Sequence, residues 1–232
     1  MKRQFTIIFL FVFARLFSQV TLSEISTKTN IKYGSDDILI NGGNYVPLHP
    51  AAHGDAFFME NAFYNGKLLL KGRQFEDIAI KFDIEQQKLL LRLDSVSAEY
   101  SIIQLNDNYI KEFYIHGQHF INLNNRGIHN SGMTFVELVY DGGFLFVKYY
   151  KKEFLTVFSN KHPYGRYSET KTEKYIFRNG EKIRLKSKRD LYDAFPGNNA
   201  MIKLFIKQNR IRFRKASNKK LLILMKYCDG FD

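Results

Sequence analysis

The chain reads as an α+β protein: an antiparallel β-sheet body, folded as a curled sheet or a sandwich, with a short helical tail at the C-terminus. Three observations predict this. From about residue 56 to 185, apolar residues recur in strand-length runs separated by turn residues, and no helical period lasts for three turns. Asn65-Gly66 and Asn179-Gly180 each stand between such runs, and Asn-Gly suits a type I′ hairpin turn, which needs positive φ at both central positions. After Ser187 the apolar period becomes that of amphipathic helices.

The N-terminus comes first in chain order. Lys2 and Arg3 precede an apolar run from Phe5 to Ala14, and Ser18 before Gln19 offers a small residue for cleavage. Charge, apolar stretch and small residue in that order read as a secretory signal peptide over residues 1–18. The run stops at Arg15, short of the roughly 20 apolar residues that a membrane-crossing helix needs. No transmembrane span is therefore expected in the mature chain; the other readings are an uncleaved anchor or a buried strand. No cysteine lies near residue 19 to carry a lipid anchor. The expected location is periplasmic or extracellular, with a β body over residues 19–186 and a basic helical tail over 187–232.

Composition supports a packed protein. Apolar residues make up 45% of the chain, with 22 Phe and 14 Tyr against only 4 Pro, which argues against disorder. Cys228 is the single cysteine, so no internal disulfide can form, and its place in the apolar stripe of the last helix reads as a buried thiol.

The strands follow from alternation and charge. Phe75, Ile78, Ile80 and Phe82 precede the turn-like Glu85-Gln86-Gln87 and then Leu89 to Leu93, which predicts a pair; Tyr100 to Leu105 and Tyr109 to His116 continue the meander. Phe135 to Tyr140 and Phe144 to Tyr150 flank Asp141-Gly142-Gly143. A two-residue Gly142-Gly143 loop places Glu137 opposite Lys148, whereas a three-residue loop would place Val147 there, so charge favours the shorter loop. Both strands are apolar at nearly every position and are expected to be central and covered on both faces. At Asn179-Gly180, a two-residue loop sets Arg178 opposite Glu181 and Ile176 opposite Ile183.

The tail is punctuated by caps. Ser187 with Asp190 forms a capping box, and Pro196-Gly197 stops that helix at Phe195. A second helix is capped by Asn198 or Asn199, carries Met201, Ile202 and Phe205 as its apolar stripe, and ends near Asn209. Ser217 caps a third, with Leu221, Leu222, Leu224, Met225 and Cys228 buried. Between these two, Arg210, Arg212 and Arg214 alternate with Ile211 and Phe213, which is the spacing of a strand.

Charge is uneven. The chain carries +12, and loss of Lys2, Arg3 and Arg15 with the leader leaves +9. Residues 151–232 hold 21 Lys and Arg against 8 Asp and Glu, while residues 19–150 hold 11 against 15. Such asymmetry suggests an anionic partner. Outside the cytoplasm that partner is a lipid headgroup, lipopolysaccharide or acidic glycan, or an envelope protein, and no nucleic acid is expected. An ordinary solvated basic face is the alternative.

Asn44-Tyr45-Val46-Pro47-Leu48-His49-Pro50, Gly54 with Phe57-Phe58, Lys81-Phe82-Asp83-Ile84, Val139-Tyr140-Asp141-Gly142 with Lys148, and the tail from Ile202 to Phe213 occur in that order. In this order the chain resembles a group of uncharacterised exported proteins of Bacteroidetes. The resemblance implies export, a strand-rich body and a short helical tail. It carries over no catalytic residue, because the group has no established activity. Lys81-Phe82-Asp83 departs from the aromatic and acidic strand end of many members. The Ser18-Gln19 ending fits exported proteins of that origin.

Among candidate sites, His49, His53 and Asp55 supply a metal-ligand set in a Pro- and Gly-bounded loop, where positioning of Phe57-Phe58 is the competing account. His116 and His119 flank a turn. Asp36-Asp37, Glu76-Asp77 and Asp83 with Glu85 are carboxylate pairs that a glycosidase could use. No nucleophile elbow or Gly-rich phosphate loop accompanies them, and no cofactor is expected. The best interaction candidate is the basic cluster Arg210, Arg212, Arg214, Lys215, Lys219 and Lys220, whose guanidinium groups suit phosphate or carboxylate. The same alternation also protects an exposed edge strand from pairing. The expected role is a non-catalytic exported envelope protein that binds or scaffolds; the alternative is an envelope hydrolase of glycan or ester bonds with dispersed active-site residues.

Overall fold

The computed structural model describes residues 42–94 and 100–231. The leader expected over residues 1–18, the cleavage point before Gln19 and the Asp36-Asp37 pair lie outside them. Strands β1 (Gly43–Asn44), β2 (Tyr64–Leu70), β3 (Arg73–Asp83), β4 (Lys88–Asp94), β5 (Tyr100–Gln104), β6 (Ile110–Ile115), β7 (Gln118–Asn122), β8 (Phe135–Asp141) and β9 (Leu145–Lys151) come first. The short β10 (Phe154–Leu155) and β11 (Arg166–Tyr167) pair with each other, and β12 (Lys171–Arg178) and β13 (Glu181–Arg184) complete the body. Helices α1 (Lys188–Ala194), α2 (Asn199–Gln208) and α3 (Asn218–Asp229) form the tail. The protein is α+β, and no described helix is long and apolar enough to cross a membrane.

Eleven of the described strands join one antiparallel sheet in the order β1-β5-β4-β3-β2-β6-β7-β8-β9-β12-β13. The meander expected from β5 into β6 is broken, since β6 pairs with β2 instead. Curling makes that possible. Strands β3 and β8 lie four spacings apart in the order, about 19 Å in a flat sheet, yet the rings of Phe82 and Phe135 are 5.9 Å apart between centroids. Phe58, Phe113, Phe120 and Tyr150 fill the same concave interior in edge and stacked contacts. Each such ring removes a large apolar area from water and gains further from the favoured tilt.

The first hairpin turns at Lys71-Gly72, with φ 49° and 78°, and not at Asn65-Gly66, which lies inside β2. Packing overrides the dipeptide signal here. A Cβ on Gly66 would come within 2.4 Å of the Tyr114 carbonyl oxygen and 2.5 Å of Ile80 Cδ1, so the glycine admits neighbouring strands and makes no turn. Asn179-Gly180 does turn, pairing Arg178 with Glu181 and Ile176 with Ile183. Glu137 faces Lys148 as charge predicts, but Asp141 pairs with Leu145, so the loop holds three residues and a bulge at Val139 restores the register.

The tail completes the core. Phe146 and Tyr150 share a face of β9 by strand parity; Tyr150 belongs to the aromatic interior, whereas Phe146 packs with Ile176, Leu191, Ile202, Ile206, Leu221 and Leu224. On the other face, Val136 and Val147 meet Ile121, Leu123, Met133, Tyr175 and Phe177. Strands β8 and β9 are thus central and covered on both sides. Cys228 is fully buried in the helical cluster.

Candidate functional site: a basic cleft in the helical tail

The cleft is a product of capping and chain reversal. Ser187 Oγ accepts from the Asp190 amide at 3.4 Å, while Asp190 Oδ2 accepts from the amides of Ser187 and Lys186 at 2.7 Å each, which starts α1. Those amides hold the Asp190 carboxyl below the usual carboxylate range and keep its charge in the cap. Pro196 and Gly197, the latter at φ 87°, reverse the chain, so α2 folds back beside α1.

Helix α2 buries Ile202 and Ile206 and carries Lys203 and Lys207 four residues apart on one flank. Lys203 Nζ lies over the Tyr192 ring of α1, 5.2 Å from its centroid. Beyond α2 the chain does not form the expected strand. Arg210 takes φ 49°, its amide bonds to the Lys207 carbonyl at 3.2 Å, and the Ile211 amide reaches the Ile206 carbonyl at 3.0 Å, a helix stop made by a left-handed residue. A 3-10 turn over Phe213–Lys215 follows. The alternation survives without the strand, because Ile211 and Phe213 anchor in the core and leave Arg210, Arg212 and Arg214 exposed.

Together these segments border an open surface cleft of about 300 Å³ lined by Lys188, Tyr192, Lys203, Ile206, Lys207, Arg210, Ile211 and Arg212. Five cations converge there, and among the described residues no carboxylate lines it. Arg189 on the same helix has Asp193 at 4.0 Å, but none of the five has a carboxylate partner among the described residues. Like charges held close in a concave site favour an incoming anion, and paired guanidinium forks suit phosphate.

The structure thus divides the cluster read from sequence. Arg210 and Arg212 enter the cleft. Arg214 turns to the Lys186 carbonyl at 3.4 Å, Lys220 donates to the Arg210 carbonyl at 3.3 Å, and Lys215 and Lys219 are exposed elsewhere. Lys188, Lys203 and Lys207 were not singled out by spacing. Their signal is the i,i+4 lysine pair on the flank of the Ile202-Ile206 stripe, legible only once α1 is known to fold back on α2.

His49, His53 and Asp55 part company. His49 stacks on Phe154 at 3.6 Å and lies 3.7 Å from Glu85, His53 faces His162 at 4.4 Å between rings, and Asp55 accepts from Lys152 and the Phe57 amide. Among the described residues, no group of three or more His, Cys, Asp and Glu side chains could hold a metal ion. The loop positions Phe57-Phe58 through that Asp55 bond and the bridge from Phe57 to Asp83. Asp83 is buried and accepts from Tyr45 Oη and the amides of Glu85 and Gln86, and Glu85 accepts from Tyr167 Oη at 2.7 Å, so this carboxylate pair builds a turn. Burial, then the Asp83 hydrogen bond, pushes the Tyr45 hydroxyl up.

A second concavity, about 520 Å³, lies along β2 on the sheet and is lined by Lys67, Gln74, Asp77, Glu112, Tyr114 and His116 among others. Glu112 lies 3.1 Å from His119, which stacks on Tyr114 at 4.2 Å. Comparison with family models, with curated proteins and with solved structures finds no match to this chain.

Proposed function

We propose that this chain is an exported protein of the cell envelope, related to the Bacteroidetes group it resembles, that acts by binding and not by catalysis. Its ligand is a phosphate- or carboxylate-bearing group held in the cleft between α1 and α2. The observation that carries this reading is the convergence of Lys188, Lys203, Lys207, Arg210 and Arg212 on one concavity that no carboxylate among the described residues lines. A cluster of one sign costs self-repulsion unless an anion relieves it.

Calorimetric titration of the full chain with inorganic pyrophosphate tests the reading. Replacing Arg212 by Gln removes a charge-assisted contact and should weaken affinity about tenfold or more, since such bonds are worth roughly 1.5–3 kcal/mol. Affinity should also fall as salt is raised. Equal binding by wild type and variant would contradict it. Export is tested separately, by the mass of the chain recovered outside the cytoplasm, which should begin at Gln19.

An envelope hydrolase is the second reading, drawn from the groove along β2, where Asp77, Glu112 and His116 line one concavity. Turnover of a glycan or ester substrate by wild type that is lost in Glu112→Gln would favour it.

A further inference from the structure

The outward faces of α2 and α3 share one pattern. Helices advance about 100° per residue, which puts Leu204 opposite the buried Ile202-Ile206 stripe of α2 and leaves it 55% exposed, beside the flank that carries Lys203 and Lys207. Met201, one turn earlier, is 46% exposed. On α3 the buried stripe is Leu221, Leu224, Met225 and Cys228, and Ile223 stands on the outer side, 43% exposed, between Lys219 and Lys226. Stacking of Phe205 on Tyr227 at 3.9 Å fixes the two helices side by side, and both bury their stripes in one apolar cluster.

We propose that this face is a membrane-surface site, in which the cleft takes the phosphate of an anionic lipid while Leu204, Met201 and Ile223 insert among the headgroups. It rests on the anion-binding reading and names the ligand's setting. Isolated aliphatic side chains raised on convex helices with lysines beside them suit a fluid charged surface, which needs no matching groove. The lysine stems lie along the apolar region and their heads reach phosphates. Charge complementarity selects an anionic bilayer, because Lys203, Lys207, Lys219 and Lys226 flank the apolar residues and Arg210 and Arg212 open onto the same tail.

Co-sedimentation with vesicles of phosphatidylglycerol and phosphatidylcholine, beside calorimetry with inorganic phosphate, separates the two claims. Wild type should bind the mixed vesicles and leave pure phosphatidylcholine vesicles free, and binding should fall with salt. Replacing Met201 and Leu204 together by Gln should lower vesicle binding at least about tenfold, as expected for two lost apolar insertions, while phosphate binding stays at the wild-type value. Both side chains are exposed, so the fold should survive, which far-ultraviolet circular dichroism checks. Vesicle binding unchanged in that variant, with phosphate binding intact, would overturn the membrane proposal and leave a soluble anion as ligand. Loss of phosphate binding in wild type itself would overturn the anion reading beneath it.

Discussion

Asn218 Nδ2 donates to Glu137 Oε1 at 2.6 Å, binding the first turn of α3 to the middle of β8. Glu137 has no exposed surface. Its other oxygen accepts from Tyr150 Oη at 2.7 Å, and Lys148 Nζ stands 3.5 Å away and also reaches Asn218 Oδ1. Burial, and then the Glu137 charge, pushes the Tyr150 hydroxyl up. By strand parity Glu137 shares the face of Phe135, so this network sits where the aromatic interior of the sheet meets the helical cluster. It fixes the tail on the body and so holds the cleft in place.

Removing that carboxylate should be costly. Glu137→Ala leaves Lys148, Tyr150 Oη and Asn218 without their shared acceptor in a largely buried site, and breaking a buried pair in this way costs about 3–5 kcal/mol. Urea unfolding should show a lower midpoint at an unchanged slope. A loss under about 1 kcal/mol would mean that the network is not what docks the tail.

The two glycines of the first hairpin should separate packing from turn. Gly66→Ala drives a methyl into the Tyr114 carbonyl and Ile80 and should cost at least about 2 kcal/mol, as overpacking does. Gly72→Ala meets open space at φ 78° and should cost only about 1 kcal/mol of backbone strain. Lys71→Asn, at φ 49°, should be neutral or mildly stabilising. Thermal melts of the three variants check the order.

These positions show where sequence was informative. Alternation and turn residues made the strands of the body legible, because burial on one face repeats every second residue and leaves a local imprint. Charge placed Glu137 against Lys148 correctly. What no local pattern carried was the non-local partner: Tyr114 and Ile80 around Gly66, Asn218 on Glu137, and β2 beside β6. The site followed the same rule. Arg210 and Arg212 were visible as alternating charge, but Lys188, Lys203 and Lys207 joined them only through the reversal at Pro196-Gly197.

Alkaline pH should weaken the contact at the other end of α3. Tyr140 Oη donates to Asp229 Oδ2 at 2.6 Å, and this bond, then burial, pushes the hydroxyl up to about 12 from its ordinary 10. The folded state therefore holds the proton more tightly, so the contribution is complete below pH 10 and is lost as pH rises from there through about 12. Tyr140→Phe should flatten the fall of the urea midpoint across that window. An equal fall in wild type and variant would place the titration elsewhere.

Arg210 combines charge with a left-handed backbone, which lets stability and binding be read apart. Arg210→Gly relieves φ 49° and should leave the melting temperature at or above wild type, while pyrophosphate affinity drops. A stability loss above about 1 kcal/mol would show that the side chain holds the helix stop.

The cleft is tested most directly by two double variants that remove the same charge from different places. Arg210→Gln with Arg212→Gln empties the cleft of both guanidinium groups, whereas Lys215→Gln with Lys219→Gln removes two cations that do not line it. Pyrophosphate titration at one ionic strength should give at least about a tenfold greater loss of affinity for the first pair. Equal losses would mean that net charge alone attracts the anion and that the cleft is not a site.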